Sequence, residues 1–244
     1  MARNLNLNRG RRRRSAGPRR QVLWRWLGAL ALIGMIGAGV SWWSMRHWVP
    51  PRETYGVQGV EIGQNDGDID WTAIKAIGAD FAYVDASASA FARDPNVVRN
   101  LDGARAAGLQ VGAVHHYDPC QPADKQAANF VTVVPRDPRM LPPAVDLEDV
   151  ADHCPVKVSD AAVVSELMTF INQIETHTGK PAILKIGGAF DARYHIARSL
   201  DRNLWVEGDR FAPDVGRPWA MWTANHALEN NAGDAPLRWV VVQQ

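Results

Sequence analysis

From residue 56 onward the chain alternates between two hydrophobic rhythms. Short apolar runs of strand type fall at 57–63, 81–87, 110–117, 142–149, 181–187, 218–225 and 237–243. Stretches with helical spacing occupy 70–77, 96–107, 123–134, 160–178 and 189–201. The starts of these helices carry residues that can cap free backbone N–H groups: Asp70 before Trp71, Asn96 after Pro95, and Ser159-Asp160 before an Ala/Val run. Gly78, Gly108 and Gly179 stand where the helices should stop. Alternating strands and helices predict an α/β domain with a mostly parallel sheet covered by helices. A doubly wound open sheet and a closed (β/α) barrel both satisfy this pattern. No G-x-G-x-x-G or phosphate-binding loop follows the first strand, so nothing supports nucleotide binding.

The first 55 residues follow another pattern. Trp26 to Trp43 form 18 consecutive residues without a charge, bracketed by Arg25 and Arg46. A membrane-spanning helix needs roughly 17–25 mostly apolar residues, and Trp at both ends suits the headgroup layers. The reading is a basic cytoplasmic segment over 1–21, a transmembrane anchor over 22–46, a linker over 47–55 stiffened by Pro50-Pro51, and a folded domain over 56–244. A cleaved signal peptide is the competing reading of the same stretch.

Charge sharpens this division. Residues 1–50 hold ten Arg and no Asp, Glu or Lys, although the net charge of the whole chain is only +1. The other 17 basic residues and all 26 acidic ones follow, giving that part a formal charge of 17 − 26 = −9. The Arg cluster directly precedes the apolar run, so orienting a membrane span is a simpler use for it than binding nucleic acid. By the positive-inside rule its side stays in the cytoplasm and the domain is exported, a single-pass arrangement with the domain periplasmic or extracellular. Cys120 and Cys154 form neither a C-x-x-C redox pair nor a zinc knuckle. They follow the third and fourth strands. Loops after neighbouring parallel strands emerge at one end, so in an oxidising compartment the two thiols are expected to form a disulfide.

In a barrel, function gathers at the C-terminal ends of the strands, and polar residues collect there. The first strand carries Glu61, the second Asp85, the third His115-His116-Tyr117 and the fourth Asp146 and Glu148. The fifth carries Lys185, the sixth Trp222 and Asn225, and the last ends in Gln243. Strand side chains alternate, so Asp146 and Glu148 share a face and Leu147 takes the other. Two carboxyls on one inward face repel each other, which favours one proton-bearing group beside a charged one, as acid catalysis requires. Spacing alone leaves a purely structural role for the pair equally open. No His pair has metal-ligand spacing beyond the adjacent His115-His116, whose side chains point to opposite faces, so no metal is expected.

Three segments carry a resemblance: GVEIGQNDGDIDWTAIKAIGADFAYV (59–84), GARAAGLQVGAVHHY (103–117) and LPPAVDLED (141–149). In order and spacing they resemble the family 25 glycoside hydrolases, the Chalaropsis-type lysozymes. The resemblance implies an irregular, TIM-like (β/α) barrel that hydrolyses the β-1,4 bond between N-acetylmuramic acid and N-acetylglucosamine, with no cofactor and with peptidoglycan glycan strands as partner. It implies Glu148 as general acid, Asp146 as its neighbouring carboxylate, and Glu61 in place of the family's usual Asp. Asp85, Tyr83, His115, Tyr117, Lys185, Trp222 and Gln243 become candidate substrate contacts. Asp85 stands where the family commonly has Lys, and Glu61 is one methylene longer than the family's residue. Reverting Glu61 to Asp is therefore expected to hold or raise activity. These departures also motivate an alternative, a catalytically weak glycan-binding tether on the same fold.

The anchor reading has a direct test. Alkaline phosphatase fused after Gln244 is expected to be active in intact cells, and a fluorescent protein that matures only in the cytoplasm is expected to stay dark there. The reverse pattern would overturn the assigned orientation.

Overall fold

The structure, a computed structural model, describes residues 18–243. The chain divides between Met45 and Arg46 into two units. In the first, helix α1 (Pro18–Arg46) includes the stretch Val22–Arg46, long and apolar enough to cross a membrane and exposed along its length. The second unit is an α/β barrel.

Seven strands of the barrel run parallel: β1 (Gln58–Ile62), β2 (Phe81–Ala88), β4 (Gln110–His116), β5 (Ala144–Leu147), β6 (Ile183–Ile186), β7 (Asn203–Glu207) and β8 (Met221–Leu228). An eighth, β9 (Leu237–Val242), pairs antiparallel with both β8 and β1 and closes the ring. A two-residue strand, β3 (Ala92–Arg93), hangs on the end of β2. The closed-barrel expectation therefore holds, with two refinements. β7 lies in a stretch that the hydrophobic rhythm left unassigned. The final strand runs opposite to the rest, because residues 229–236 join it to β8 without a helix. A parallel return needs a crossover long enough to travel back along the sheet, usually through a helix.

Alternation along the strands sorts the side chains into two apolar layers. Val60, Ile62, Ala82, Val84, Val145, Leu147, Leu184 and Val206 face outward into the helices. That layer contains α3 (Val97–Ala106), α4 (Ala123–Val133) and α5 (Asp160–Thr178), which contribute Leu101, Phe130, Leu167 and Phe170. Phe81, Tyr83, Val114, Ala144, Ile183, Trp205, Met221 and Val240 form the second cluster and fill the barrel interior. At Gly112 a Cβ would come within 2.3 Å of the Tyr83 ring, so this strand must lack a side chain where the ring crosses it.

Helix ends follow mostly from local chemistry. Asp70 accepts from the N–H groups of Thr72 and Ala73 and caps α2 (Trp71–Ala76). Ser159 caps α5 by accepting from Ala162 N–H, and Gly179 ends that helix in the left-handed conformation. Asn96 makes no side-chain cap on α3; Asp94 takes the backbone N–H of Asn96 instead. The helix expected over 189–201 is two short ones, α6 (Gly188–Tyr194) and α7 (Ile196–Ser199), broken at His195, which is left-handed with φ 54°.

Cys120 and Cys154 are joined, with their Cα atoms 5.1 Å apart. The bond ties the loop after β4 to the loop after β5, two strands that are neighbours in the sheet. With its ends 34 positions apart in sequence, it restricts the unfolded chain by about 3–4 kcal/mol in the chain-entropy picture. Replacing both cysteines by serine is expected to lower unfolding free energy by roughly that amount in guanidinium titrations. An unchanged midpoint would show that the bond adds nothing.

Candidate active site

The apolar filling of the barrel stops one layer below the C-terminal strand ends, where a layer of charge replaces it. At its centre is Lys185 on β6. Its Nζ lies 2.7 Å from Glu61 Oε1, 3.0 Å from Asp146 Oδ2 and 3.1 Å from Glu207 Oε1. It also sits 5.5 Å above the Trp205 ring, the roof of the apolar interior. Glu61, Asp146 and Lys185 are 1%, 4% and 5% exposed. Charges this buried are tolerable only when paired, because each costs several kcal/mol to take out of water. Burial alone would strip the proton from Lys185, but Glu61, Asp146 and Glu207 overcome it and push the ammonium well above its usual range. Burial pushes Glu61 upward, and Lys185 is the main force opposing that rise.

Two further cations close the layer. Arg238, at the start of β9, lies 3.1 Å from Asp66, 3.5 Å from Glu61 and 3.6 Å from Asp85. His116, at the end of β4, places Nε2 3.3 Å from Asp85 Oδ1 and Nδ1 3.4 Å from Asp146 Oδ2. Burial disfavours the imidazolium, yet the close contact with Asp85 and the charges of Asp85 and Asp146 outweigh it and raise His116 to about 9. Asp85 answers in kind: burial raises it, but the bond from His116 and the nearby cations bring it below its ordinary value. Gly63 admits this arrangement, since a Cβ there would come within 2.2 Å of Asp85 Oδ2. Glu207 receives Lys185 and His226, which carry it down to about 2 against the cost of burial.

A groove of about 350 Å³ opens beside this layer, lined among others by Asn65, Asp85, Arg93, Asp94, His116 and Arg238. Glu148 lies one residue beyond the end of β5 and is exposed, whereas Asp146, two residues earlier, is buried beneath the strand end.

The structure thus brings together Glu61, Asp85, Asp146 and Lys185; Glu148 is exposed just past the end of β5 and is not among the residues that line the groove. It places the other sequence candidates elsewhere. His115 faces outward, bonded to Ser87 and Gln126 and packed 4.6 Å from Phe170; burial lowers it to about 4 and leaves it neutral. The strand-end histidine that meets the carboxylates is His116. Tyr117 also faces the helices and donates to Val163 O. Trp222 lies in the outer layer with Trp48, Tyr55 and Trp219 and donates to Gly208 O. Tyr83 lies inside the barrel below the charged layer and donates to Pro142 O. Gln243 follows an antiparallel strand, so it emerges at the opposite end, where its N–H bonds to Ala220 O. Arg238 and Glu207, not among the candidates, complete the layer instead.

The raised His116 has a signed consequence. Its contribution to stability is complete below about 6.5, where the ring is charged folded or unfolded, and is lost as pH rises through about 9. The stability difference between wild type and His116→Asn is therefore expected to narrow steadily between about pH 6 and pH 10 in denaturant titrations. A difference independent of pH would contradict the assigned pairing.

Comparison with known proteins places the fold in a family. The family model described as Glycosyl hydrolases family 25 matches residues 60–226. Lysozyme M1 of Streptomyces globisporus is 31% identical over 104 residues, which cover 41% of this chain and 35% of that protein. The uncharacterized protein YegX of Escherichia coli is 26% identical over 179 residues, 69% of this chain and 63% of the relative. The chain thus spans between about a third and two thirds of these relatives' lengths. A family 25 glycosyl hydrolase from Bacillus anthracis superposes with a TM-score of 0.72 at 25% identity, covering 81% of this chain and 92% of that one. The matched span and the shared fold agree: the chain belongs to glycosyl hydrolase family 25.

Proposed function

We propose that this protein is a muramidase that hydrolyses β-1,4 bonds in peptidoglycan glycan strands, with Glu148 as general acid. The observation that carries the reading is the contrast between two carboxyls on one strand end of a family 25 barrel. Asp146 is buried and gripped by Lys185 and His116, whereas Glu148, just past the end of β5, is exposed. The first is held in place by two cations, and the second is open to substrate and water.

In this mechanism Glu148 gives its proton to the glycosidic oxygen as the bond from the sugar C1 breaks. Positive charge develops on the ring, and Asp146, with the acetamido group of the sugar, faces that charge. Water completes the cleavage and restores the proton to Glu148. The groove beside Asp85, His116 and Arg238 would hold the adjoining sugars. The apolar helix Val22–Arg46 would anchor the protein in the cytoplasmic membrane with the barrel outside, where the Cys120–Cys154 bond is stable and the wall is within reach.

Digestion of purified peptidoglycan by the full-length protein tests this reading. Glu148→Gln keeps the shape and removes the proton, so product release is expected to fall about 10²–10⁴-fold while the protein stays folded. Asp149→Asn, at the exposed neighbouring position, is expected to change the rate little. Equal cleavage by wild type and Glu148→Gln would refute the acid assignment. Saturable glycan binding by wild type without products would favour the tether.

A further inference from the structure

We propose that Lys185 is a positioning residue of this reaction, acting through Asp146, and that Glu61 and Lys185 form an obligatory pair. The proposal rests on the hydrolase reading above and deepens it.

The geometry at Asp146 carries the argument. Lys185 Nζ and His116 Nδ1 approach the same oxygen, Oδ2, at 3.0 and 3.4 Å. The two cations come from the strands on either side of β5, β6 and β4. Held from both flanks through one oxygen, the carboxylate cannot swing about its Cβ–Cγ bond without losing a charged contact. Neither cation contact uses Oδ1, and that oxygen is left to accept from a donor such as the N–H of an acetamido group. A clamp that fixes one oxygen and leaves the other to the substrate turns a mobile side chain into an oriented one. Misplacement on the scale of an ångström can cost about 100-fold in rate.

Lys185 is in turn held by the other carboxylates. Glu61 Oε1 lies 2.7 Å from Nζ, its shortest carboxylate contact, and Glu207 lies opposite at 3.1 Å. Glu61 reaches the ammonium across the barrel from β1. A side chain one methylene shorter would retract by about one bond length and give up that contact. The expectation that Glu61→Asp holds or raises activity is thereby reversed: in this chain the longer acid matches a lysine on β6. The surroundings allow the ammonium little alternative, since Trp205 closes the space beneath it.

The test uses the full-length protein and purified peptidoglycan, with kcat and KM separated and thermal unfolding measured alongside. Lys185→Met is expected to lower kcat about 100-fold with KM changed less than about fivefold. Because this variant leaves Glu61 buried without its nearer cation, the neutral pair Glu61→Gln/Lys185→Met is compared with it. The pair is expected to recover most of the lost thermal stability and to remain at least about 30-fold slow. Glu61→Asp is expected to be slower than wild type. If the neutral pair recovers both stability and kcat, Lys185 only neutralises Glu61 and the positioning role is wrong. Wild-type kcat in Lys185→Met would overturn it equally. If wild type itself releases no products, the hydrolase reading fails separately, and the clamp is judged on glycan binding. Weaker binding by the folded neutral pair than by wild type then supports it, and equal binding rejects it.

Discussion

A single ammonium group among three carboxylates organises this barrel. Below Lys185 the interior is apolar, with Trp205, Tyr83 and Phe81 packed against one another. Above it lie the groove and solvent. An ion buried at that boundary must be neutralised on the spot, and β1, β5 and β7 each supply one acid to do so. The positions of those acids then constrain their own partners: Arg238 meets the far oxygen of Glu61, and His116 bridges Asp146 to Asp85. The charged layer behaves as one network in which few members can be changed alone.

Much of this was legible from the chain. Strand–helix alternation and caps such as Asp70 and Ser159 indicated a wound α/β domain; the two-residue period paired Asp146 with Glu148, but β5 ends at Leu147, and of the two only Asp146 is buried. Face assignment failed elsewhere for a physical reason. In β4 both faces are apolar, outward into helices and inward into the filled barrel, so hydrophobicity could not say whether His115 or His116 points in. The same ambiguity misdirected Tyr117 and Trp222, whose polar atoms bond to backbone carbonyls of α5 and of the loop after β7. β7 escaped notice because NLWVE is short and follows a broken helical stretch, and Glu207 was lost with it.

One signal was present and unread. No helical run separates the last two strands, and a helix-free connection of eight residues, 229–236, favours a hairpin. A hairpin reverses the final strand, which sends Gln243 away from the groove and brings Arg238 to it. Reading the connection rather than the strand alone would have exchanged one candidate for the other.

The reversed strand also bears on how the molecule reaches its folded state. The ring closes where β9 inserts between β8 and β1, pairing Val240 with Gly59 and Arg238 with Glu61 across most of the folded domain's length. Such a seam has high contact order: the chain must pay the entropy of its longest loop before the contact returns anything. Without β9, β1 would have an unpaired edge, and Glu61, Asp66 and Asp85 would lack Arg238. The last strand of the barrel therefore supplies both the second backbone partner of β1 and the cation shared by Glu61, Asp66 and Asp85, so ring closure and the site's charge balance depend on the same segment.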